Sequence, residues 1–303
     1  MKKVLFTVPI IFWLSTINPF LAQATFPGES IVFGNRDQSN EQSDEALIKI
    51  FNLATKKDYQ QALTLIEQKL QSTPRIATLH VMKGLVLNEI GEYLHANRAL
   101  NTGLSIEARH PGIQYGFCGI YRNLGMSDLS LQACRVAEEM HRLSPEAHYE
   151  YAQTLIATGE MKLANKSLSA AAELNPNNTQ YHYQRGMNFY YLNQYDAAEN
   201  SFLKALSIDV NDVDSSYQLA YIYAAQKKEN LAKQQIEKVL QIQKEHPKIQ
   251  SAKLLLEYVR KNALDKLPLK IIPHDYHVGR SKSYYKSGDY GLALIEIETA
   301  EKL

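Results

Sequence analysis

The stretch NTQYHYQRGMNFYYLNQYDAAENSFLKALSI, residues 178–208, holds two segments in which apolar and small residues recur every three or four positions. That spacing is typical of amphipathic helices. The polar pair Asn193-Gln194 separates the two segments and is a turn signal. We therefore predict an antiparallel pair of helices here. The residues that share its internal face are Tyr183, Gly186, Met187 and Tyr190 in the first helix, and Ala198, Phe202, Ala205 and Leu206 in the second.

This helical pair is one copy of a repeat with a period of 34 residues. A single pair cannot bury its apolar face alone, so successive units are expected to stack into one array. Small residues recur at that interval in the first helix (Gly84, Cys118, Ala152, Gly186, Ala220), in the second helix (Ala62, Ala96, Ser130, Ala164, Ala198, Ala232) and at the turn (Gly91, Gly125, Gly159, Asn193). The six units in register are residues 43–76, 77–110, 111–144, 145–178, 179–212 and 213–246.

The repeat resembles the tetratricopeptide repeat over residues 43–246, and the likeness resumes between Gly288 and Ala300. The family's pattern is carried by Ala152, Gly159, Ala164, Ala171 and Pro176 in the fourth unit, and by Gly186, Tyr195, Ala198, Phe202 and Ala205 in the fifth. Two features depart from it. The large aromatic residue early in the first helix is replaced by His80, His148 and His182, and Lys227 stands where the sixth unit should have its turn glycine. The resemblance implies an all-α solenoid, a right-handed superhelix of antiparallel helix pairs whose first helices line a concave groove.

The first 24 residues differ from the repeats and are typical of a secretory signal peptide. Two lysines precede an apolar run from Val4 to Leu14, and Ala22-Gln23-Ala24 forms an A-x-A cleavage site. The apolar run is too short to span a bilayer. We therefore predict cleavage before Thr25 and a soluble periplasmic protein without a remaining membrane span; a retained N-terminal anchor is the alternative. Thr25 also stands where a lipoprotein carries cysteine, so no lipid anchor is predicted.

The segments on either side of the six units are irregular. Residues 25–42 are mostly polar and contain Pro27 and Gly28, so we expect a flexible N-terminal segment. Residues 247–273 predict a helix from Lys248 to Ala263 and then a linker interrupted by prolines. Residues 274–303 predict a C-terminal helix pair of the same type as the repeats.

The last predicted helix carries Leu292, Leu294, Ile295 and Ile297, and no polar capping helix follows it. Repeat arrays normally need such a cap for solubility. Either this helix is simply apolar on two sides, or this end docks on a partner or on a second copy of the chain, which would give a homo-oligomer.

Charge and motif content exclude several classes of function. The sequence has 33 basic and 32 acidic residues, and loss of the two lysines of the signal peptide leaves a formal charge of about −1. Such a chain offers no electrostatic surface for nucleic acid. It has no phosphate-binding loop, dinucleotide fingerprint, nucleophile elbow or zinc-protease motif, so we predict no enzyme activity and no cofactor. His274 and His277 could share a helix face but lack a third ligand, so no metal site is predicted.

The two cysteines lie in the third unit. Cys118 occupies the small position of the first helix, and Cys134 occupies the aromatic position of the second. These faces oppose each other, so the sulfur atoms could lie within bridging reach. An oxidising compartment would then favour a disulfide, worth about 2–4 kcal/mol. The alternative is two buried thiols that act as small apolar side chains.

Candidate binding residues lie along the predicted first helices. One tyrosine recurs at the same unit position and gives a stripe of Tyr115, Tyr149, Tyr183 and Tyr217; one turn further along are Gln153, Met187 and Tyr221, and beyond them Arg122, Tyr190 and Tyr191. Tyrosine combines a large apolar area with a polar tip, which suits an extended or helical peptide. The alternative is that these tyrosines only pack within the repeats. The lysine–asparagine clamp with which related co-chaperones hold a C-terminal carboxylate is absent, because its positions are occupied by Leu47, Phe51, Val81 and Leu85.

These patterns predict a non-enzymatic periplasmic scaffold. It would bind a protein or peptide partner of the cell envelope in its concave groove and assist the assembly of an envelope complex, as in pilus or secretin assembly, outer-membrane biogenesis or export. Two alternatives remain open at this point. One is a module that binds glycan or peptidoglycan, because tyrosines also stack on sugars. The other is an accessory subunit that docks an enzyme through its C-terminal end.

Overall fold

The computed structural model describes residues 26–33, 41–242, 248–261 and 273–303. These residues form sixteen α-helices, and no β-strand occurs among them. The prediction of an all-α solenoid built from antiparallel helix pairs is confirmed. None of the helices in these ranges is long and apolar enough to cross a membrane. The predicted signal peptide lies outside the described residues.

Six antiparallel pairs, α2 to α13, correspond to the six predicted units, and α15 and α16 form a further pair. Helix α14, predicted to reach Ala263, ends at Arg260 and packs on α12 and α13. Helices α1 to α16 span, in chain order, Glu29–Phe33, Glu41–Thr55, Tyr59–Ser72, Ala77–Glu89, Tyr93–Ile106, Gly112–Asn123, Ser127–Met140, Pro145–Ala157, Met161–Leu174, Thr179–Tyr191, Tyr195–Ile208, Val213–Ala225, Glu229–Ile242, Lys248–Arg260, Pro273–Ser287 and Tyr290–Glu301.

The turn inside each unit requires a left-handed backbone at one residue. Gly91, Gly125 and Gly159 have φ values of 86°, 78° and 82° at this position. Asn193 and Lys227 occupy the equivalent positions with φ values of 56° and 59°. A lysine in this conformation costs roughly 1 kcal/mol, which asparagine partly avoids. The 34-residue spacing of glycine is therefore a backbone requirement, and the sixth unit keeps the turn despite its lysine.

Small residues allow the two helices of a unit to approach each other closely. A Cβ atom added to Gly186 would lie 2.7 Å from Cε1 of Phe202, which is fully buried on the facing helix. A Cβ atom added to Gly84 would lie 2.7 Å from Cδ2 of Leu100. The periodic small residues of the sequence thus mark the contact line between paired helices.

The histidines that replace the family's large aromatic residue are structural. In His80, His148 and His182, the ring Nε2 lies 2.9, 2.9 and 3.0 Å from the carbonyl oxygen of the residue six positions earlier. That carbonyl belongs to the loop that enters the unit. Each imidazole therefore fixes the start of a first helix to the preceding loop, which explains the departure from the family pattern.

The first helices lie on the inner side of the solenoid. Consecutive first helices contact each other in the pairs α2–α4, α4–α6, α6–α8 and α10–α12. Among the described helices, consecutive second helices make less contact with each other than these first helices do. The first helices are therefore closer together, which places them on the concave face. We call this face the inner groove.

The N-terminal segment, defined here as residues 26–33, packs in the inner groove. Phe26, Ile31 and Val32 are buried, and helix α1 contacts α4 and α6. We expected residues 25–42 to be flexible, but residues 26–33 pack against the array. The helix of this segment packs on α4 and α6, which begin more than 40 residues later, so these contacts could not be predicted from local sequence patterns. Residues 34–40 lie outside the described ranges.

The C-terminal pair, α15 and α16, folds back onto the middle of the array. Helix α16 contacts α6 and α8, and Thr299 Oγ1 donates a hydrogen bond of 2.9 Å to the carbonyl oxygen of Ala157. For the last helix, the sequence left two alternatives: a helix that is simply apolar on two sides, or one that docks on a partner or a second copy. In the structure, Ile295 and Ala300 are buried, while Leu294 and Ile297 remain exposed.

A buried polar network links the C-terminal pair to the array. Glu296 is fully buried, and its two carboxylate oxygens lie 2.7 Å from Nδ1 of His277 and 2.7 Å from Nε of Arg280. Nε2 of His277 lies 3.3 Å from the hydroxyl oxygen of Tyr191 on α10. A buried carboxylate needs such partners, because its desolvation would otherwise cost several kcal/mol.

Candidate functional site: the inner groove

A cavity of about 320 Å³ opens in the inner groove between α6, α8, α10 and α12. Four tyrosines line it, and the rings of two of them, Tyr149 and Tyr181, lie 5.0 Å apart. The lining residues are Tyr115, Glu146, Tyr149, Glu150, Asn178, Thr179, Gln180, Tyr181, Tyr183, Asp209, Asp212 and Asp214. We call it the tyrosine cavity.

The predicted stripe is only partly available at the surface. Tyr149, Tyr183 and Tyr217 are half-buried, whereas Tyr115 is only 6% exposed. Three members of the stripe, Tyr115, Tyr149 and Tyr183, line the tyrosine cavity together. A fourth position, Tyr217, lies one unit further along, with its ring 6.4 Å from that of Tyr221.

The other predicted groove residues also include both half-buried and buried side chains. Gln153, Met187 and Tyr221 are half-buried, but Tyr190 is 8% exposed and packs on Tyr221 at 6.0 Å between ring centres. Tyr190 therefore supports the groove wall and presents little surface. That these residues contact a ligand stays a prediction.

Burial raises the pKa of three phenols that line the tyrosine cavity, those of Tyr115, Tyr149 and Tyr181. Burial raises the pKa of Tyr149 to about 12, and this effect exceeds that of the hydrogen bond from Gln180, which acts in the opposite direction. Burial also raises the pKa of Tyr115 well above its ordinary value, and the pKa of Tyr181 in the same direction. Each hydroxyl therefore keeps its proton and is available as a donor and an acceptor.

Carboxylates that were not predicted as site residues also line this cavity. Glu146, Glu150, Asp209, Asp212 and Asp214 contribute to its wall, and no lysine or arginine is among its lining residues. Burial raises the pKa of Asp212. Asp212 also accepts a hydrogen bond of 3.2 Å from the backbone N–H of Asp214, as a helix N-cap. Acidic residues at helix starts are normally explained by capping, so only the three-dimensional arrangement shows that they face one cavity.

Arg122 is held in an ion pair between two units. Its Nη2 lies 2.8 Å from Oε2 of Glu150, and both side chains are mostly buried. Burial lowers the pKa of Arg122, but the charge and hydrogen bond of Glu150 outweigh this effect and raise it overall. We predicted Arg122 as a ligand contact, and the structure shows it paired across the α6–α8 interface.

A second cavity, of about 200 Å³, adjoins the first. Tyr115 and Glu150 line both cavities, and Pro27 of the N-terminal segment lines the second one. Arg122 and Glu89 also contribute to its wall. The N-terminal segment therefore borders the groove residues that the sequence analysis singled out.

The two cysteines of the third unit form a disulfide, with their Cα atoms 4.6 Å apart. Both are fully buried, and Ser130 Oγ donates a hydrogen bond of 2.9 Å to the carbonyl oxygen of Cys118. The bond joins α6 to α7, and Cys118 lies one turn after Tyr115. It therefore fixes the helix that carries the first tyrosine of the stripe.

No group of three metal-binding side chains occurs among the described residues. His277 contacts Glu296 and Tyr191, as described above, and the side chain of His274 lies outside the described part. Among the described residues, the inner groove offers tyrosine rings, hydroxyls and carboxylates.

Comparisons with known proteins agree with this geometry. A family model described as the tetratricopeptide repeat matches residues 145–178, 179–212 and 213–246, which are the last three of the six units. No curated protein matches the sequence.

Several solved structures share the fold. YrrB, described as a TPR protein with an unusual peptide-binding site, aligns with a TM-score of 0.52 and 20% identity over 65% of this chain and 97% of its own. PilF of Pseudomonas aeruginosa aligns with a TM-score of 0.60 and 12% identity, over 73% of this chain and 98% of its own. MamA reaches a TM-score of 0.50 and 18% identity over 56% and 96%. At such identities the likeness shows the fold alone.

Proposed function

We propose that this chain is a periplasmic scaffold for protein interaction. It is a tetratricopeptide-repeat protein. Proteins of this class generally serve as non-catalytic scaffolds that bind other proteins. In this proposal it binds a protein or peptide in its inner groove. Binding there would help to assemble a complex of the cell envelope.

The observation that carries the proposal is the half-buried stripe on the inner groove. Tyr149, Tyr183 and Tyr217 combine partly exposed ring area with a hydroxyl group, and Met187 adds partly exposed apolar area beside them. Such a surface gains from covering by a peptide, because ring area is removed from water while the hydroxyls remain hydrogen-bonded. The first helices hold these side chains on a rigid array, so little ordering cost is added on binding.

Two features support the proposed location. The signal-peptide pattern of residues 1–24 favours export. The disulfide between Cys118 and Cys134 is of the kind that persists in an oxidising compartment such as the periplasm.

Site-specific photo-crosslinking in the native envelope tests this proposal. A photoreactive residue is placed at Met187 in the inner groove, and the matched control carries it at Lys204, which is exposed on the second helix of the same unit. We expect one discrete protein adduct at Met187 and none at Lys204. The adduct would also identify the partner.

Two outcomes contradict peptide binding in the groove. One is the absence of a protein adduct at Met187; the other is the same adduct at both positions. Retention on purified cell wall, lost in Tyr183→Ala and Tyr217→Ala variants, would instead favour a glycan-binding module, because sugars stack on exposed tyrosine rings.

A further inference from the structure

The N-terminal segment lies in the inner groove in the way that a bound peptide would. Phe26 and Phe33 place their rings 5.9 and 5.5 Å from the ring of Phe51, on the first helix of unit one. Ile31 and Val32 are completely buried. A short helix is thus held by aromatic and aliphatic anchors, which is how amphipathic helices bind in apolar grooves.

The groove is shaped to accept the backbone of this segment. A Cβ atom added to Gly112, at the start of α6, would lie 3.0 Å from the carbonyl oxygen of Ile31 and 2.6 Å from Cγ1 of Val81. At its other side, Gly28 packs against the carboxylate of Glu146, with 3.5 Å between a Cβ built there and Oε2. The segment therefore contacts the first helices of units one to three, and Gly28 alone reaches the first helix of unit four.

The segment also borders a cavity that Tyr115 lines. Tyr115 is the one member of the stripe that is buried, and it shares the 200 Å³ cavity with Pro27. Tyr149 and Tyr183 belong to the same stripe but lie beyond the segment and are half-buried. The stripe is thus least accessible at the end that lies beside the segment.

We propose that the inner groove of units one to three is a binding site for a short apolar helix, and that the N-terminal segment is its resident occupant. A partner segment with the same chemistry competes for the site. Such a partner segment contains an aromatic residue, a turn that starts a helix, two adjacent aliphatic residues and then a second aromatic residue. Displacement of the resident segment exposes Tyr115 and extends the stripe that, under the proposed function, binds the partner.

The covalent connection decides how strongly the resident segment competes. Only residues 34–40 separate it from α2, and a short linker gives an effective concentration on the order of 1 mM. A resident segment with modest intrinsic affinity therefore keeps the groove filled. A free copy of the same peptide should bind the intact chain weakly, and bind a chain with a loosened segment much more tightly.

The test uses the full chain and a fluorescent peptide with the sequence of residues 26–33, FPGESIVF, in an anisotropy titration. Ile31→Asp in the chain places a charge at a completely buried position and should release the resident segment. We expect its Kd for the peptide to be at least about tenfold lower than that of the unchanged chain. The matched control is Glu29→Gln, an exposed position in the same helix, which should leave the Kd unchanged.

Several results would overturn the proposal. One is an equal peptide Kd for the Ile31→Asp chain and the unchanged chain. Another is that a peptide carrying Ile31→Asp binds the Ile31→Asp chain as tightly as the unchanged peptide does. A dimer in light scattering that Ile31→Asp converts to a monomer would also overturn it, because the occupant would then come from a second copy. If Ile31→Asp lowers the helix content in circular dichroism, Ile31→Ala replaces it, with an expected gain of at least about threefold.

This test is independent of the crosslinking experiment. The peptide titration reports on units one to three, whereas the probe at Met187 reports on unit five. A failed titration with an intact Met187 adduct removes the resident-segment proposal and leaves the proposed function standing. A successful titration without the adduct does the reverse.

Discussion

His148 joins two neighbouring units through a charged contact. Its Nδ1 lies 2.8 Å from Oε1 of Glu138, on the second helix of the preceding unit, and both side chains are mostly buried. The hydrogen bond with Glu138 raises the pKa of His148. Burial raises the pKa of Glu138, but hydrogen bonds from His148 and Ser167 outweigh burial and lower it overall. The folded protein thus favours the charged form of both partners.

This pair should stabilise the fold most at mildly acidic pH. Because folding raises the pKa of His148, its contribution is complete below the unfolded value of about 6.5 and is lost as the pH rises through the folded value. Because folding lowers the pKa of Glu138, its contribution is present above about 4.3 and is lost as the pH falls through the folded value. His148→Gln should therefore reduce the free energy of unfolding by about 1 kcal/mol at pH 5.5, and by clearly less at pH 8.5, in urea titrations.

An exposed pair provides the control for His148. His95 lies 3.0 Å from Glu92, but more than half of each side chain is exposed, so water screens the interaction. His95→Gln should change the free energy of unfolding by no more than about 0.3 kcal/mol at either pH. Equal losses at both pH values for His148→Gln would show that the charge of the imidazole contributes nothing.

The helix pair of unit three differs from those of the other units because it is covalently closed. The disulfide joins α6 to α7 across a sequence separation of 16 residues. It replaces the small and aromatic residues that hold other units together, such as Gly186 and Phe202 in unit five. Closing a loop of this length should stabilise the folded state by about 3 kcal/mol in the chain-entropy account.

Reduction of this disulfide should lower the thermal stability of the chain. We expect a lower Tm with dithiothreitol than without it in a scan followed by circular dichroism. A double variant, Cys118→Ala with Cys134→Ala, should have a low Tm that no longer depends on the reductant. An unchanged Tm in protein whose two thiols have become reactive to alkylation would contradict this stabilising role.

The paired helices could be predicted from the sequence because their signals are local and repeated. The turn position at Gly159 or Asn193 needs a left-handed backbone, and the small position at Gly186 needs a close helix contact, so both recur every 34 residues. The carboxylates of the tyrosine cavity carry no such signal. Asp212 and Asp214 look like ordinary residues of a helix start until the neighbouring first helices are placed beside them.

The N-terminal segment and the C-terminal pair both return to the same array. The N-terminal segment enters the inner groove at α4 and α6, and α16 packs against α6 and α8. Neither contact could be predicted, because each joins residues far apart in the sequence and leaves no periodic pattern. Helix α6, which the disulfide links to α7, thus contacts both the N-terminal segment and α16.

The docking of the C-terminal pair depends on a close crossing at Gly291. A Cβ atom there would collide with the carbonyl group of Asn123 and the backbone nitrogen of Gly125, which cannot move as flexible side chains do. Gly291→Ala should therefore release α16 from α6 and α8, although alanine itself favours a helix. We expect amide hydrogen exchange in residues 290–301 to become at least about tenfold faster. Gly279→Ala is the matched control, because no described atom lies within 4 Å of a Cβ built there. Unchanged exchange in Gly291→Ala would mean that the C-terminal pair is not held to the array by this crossing.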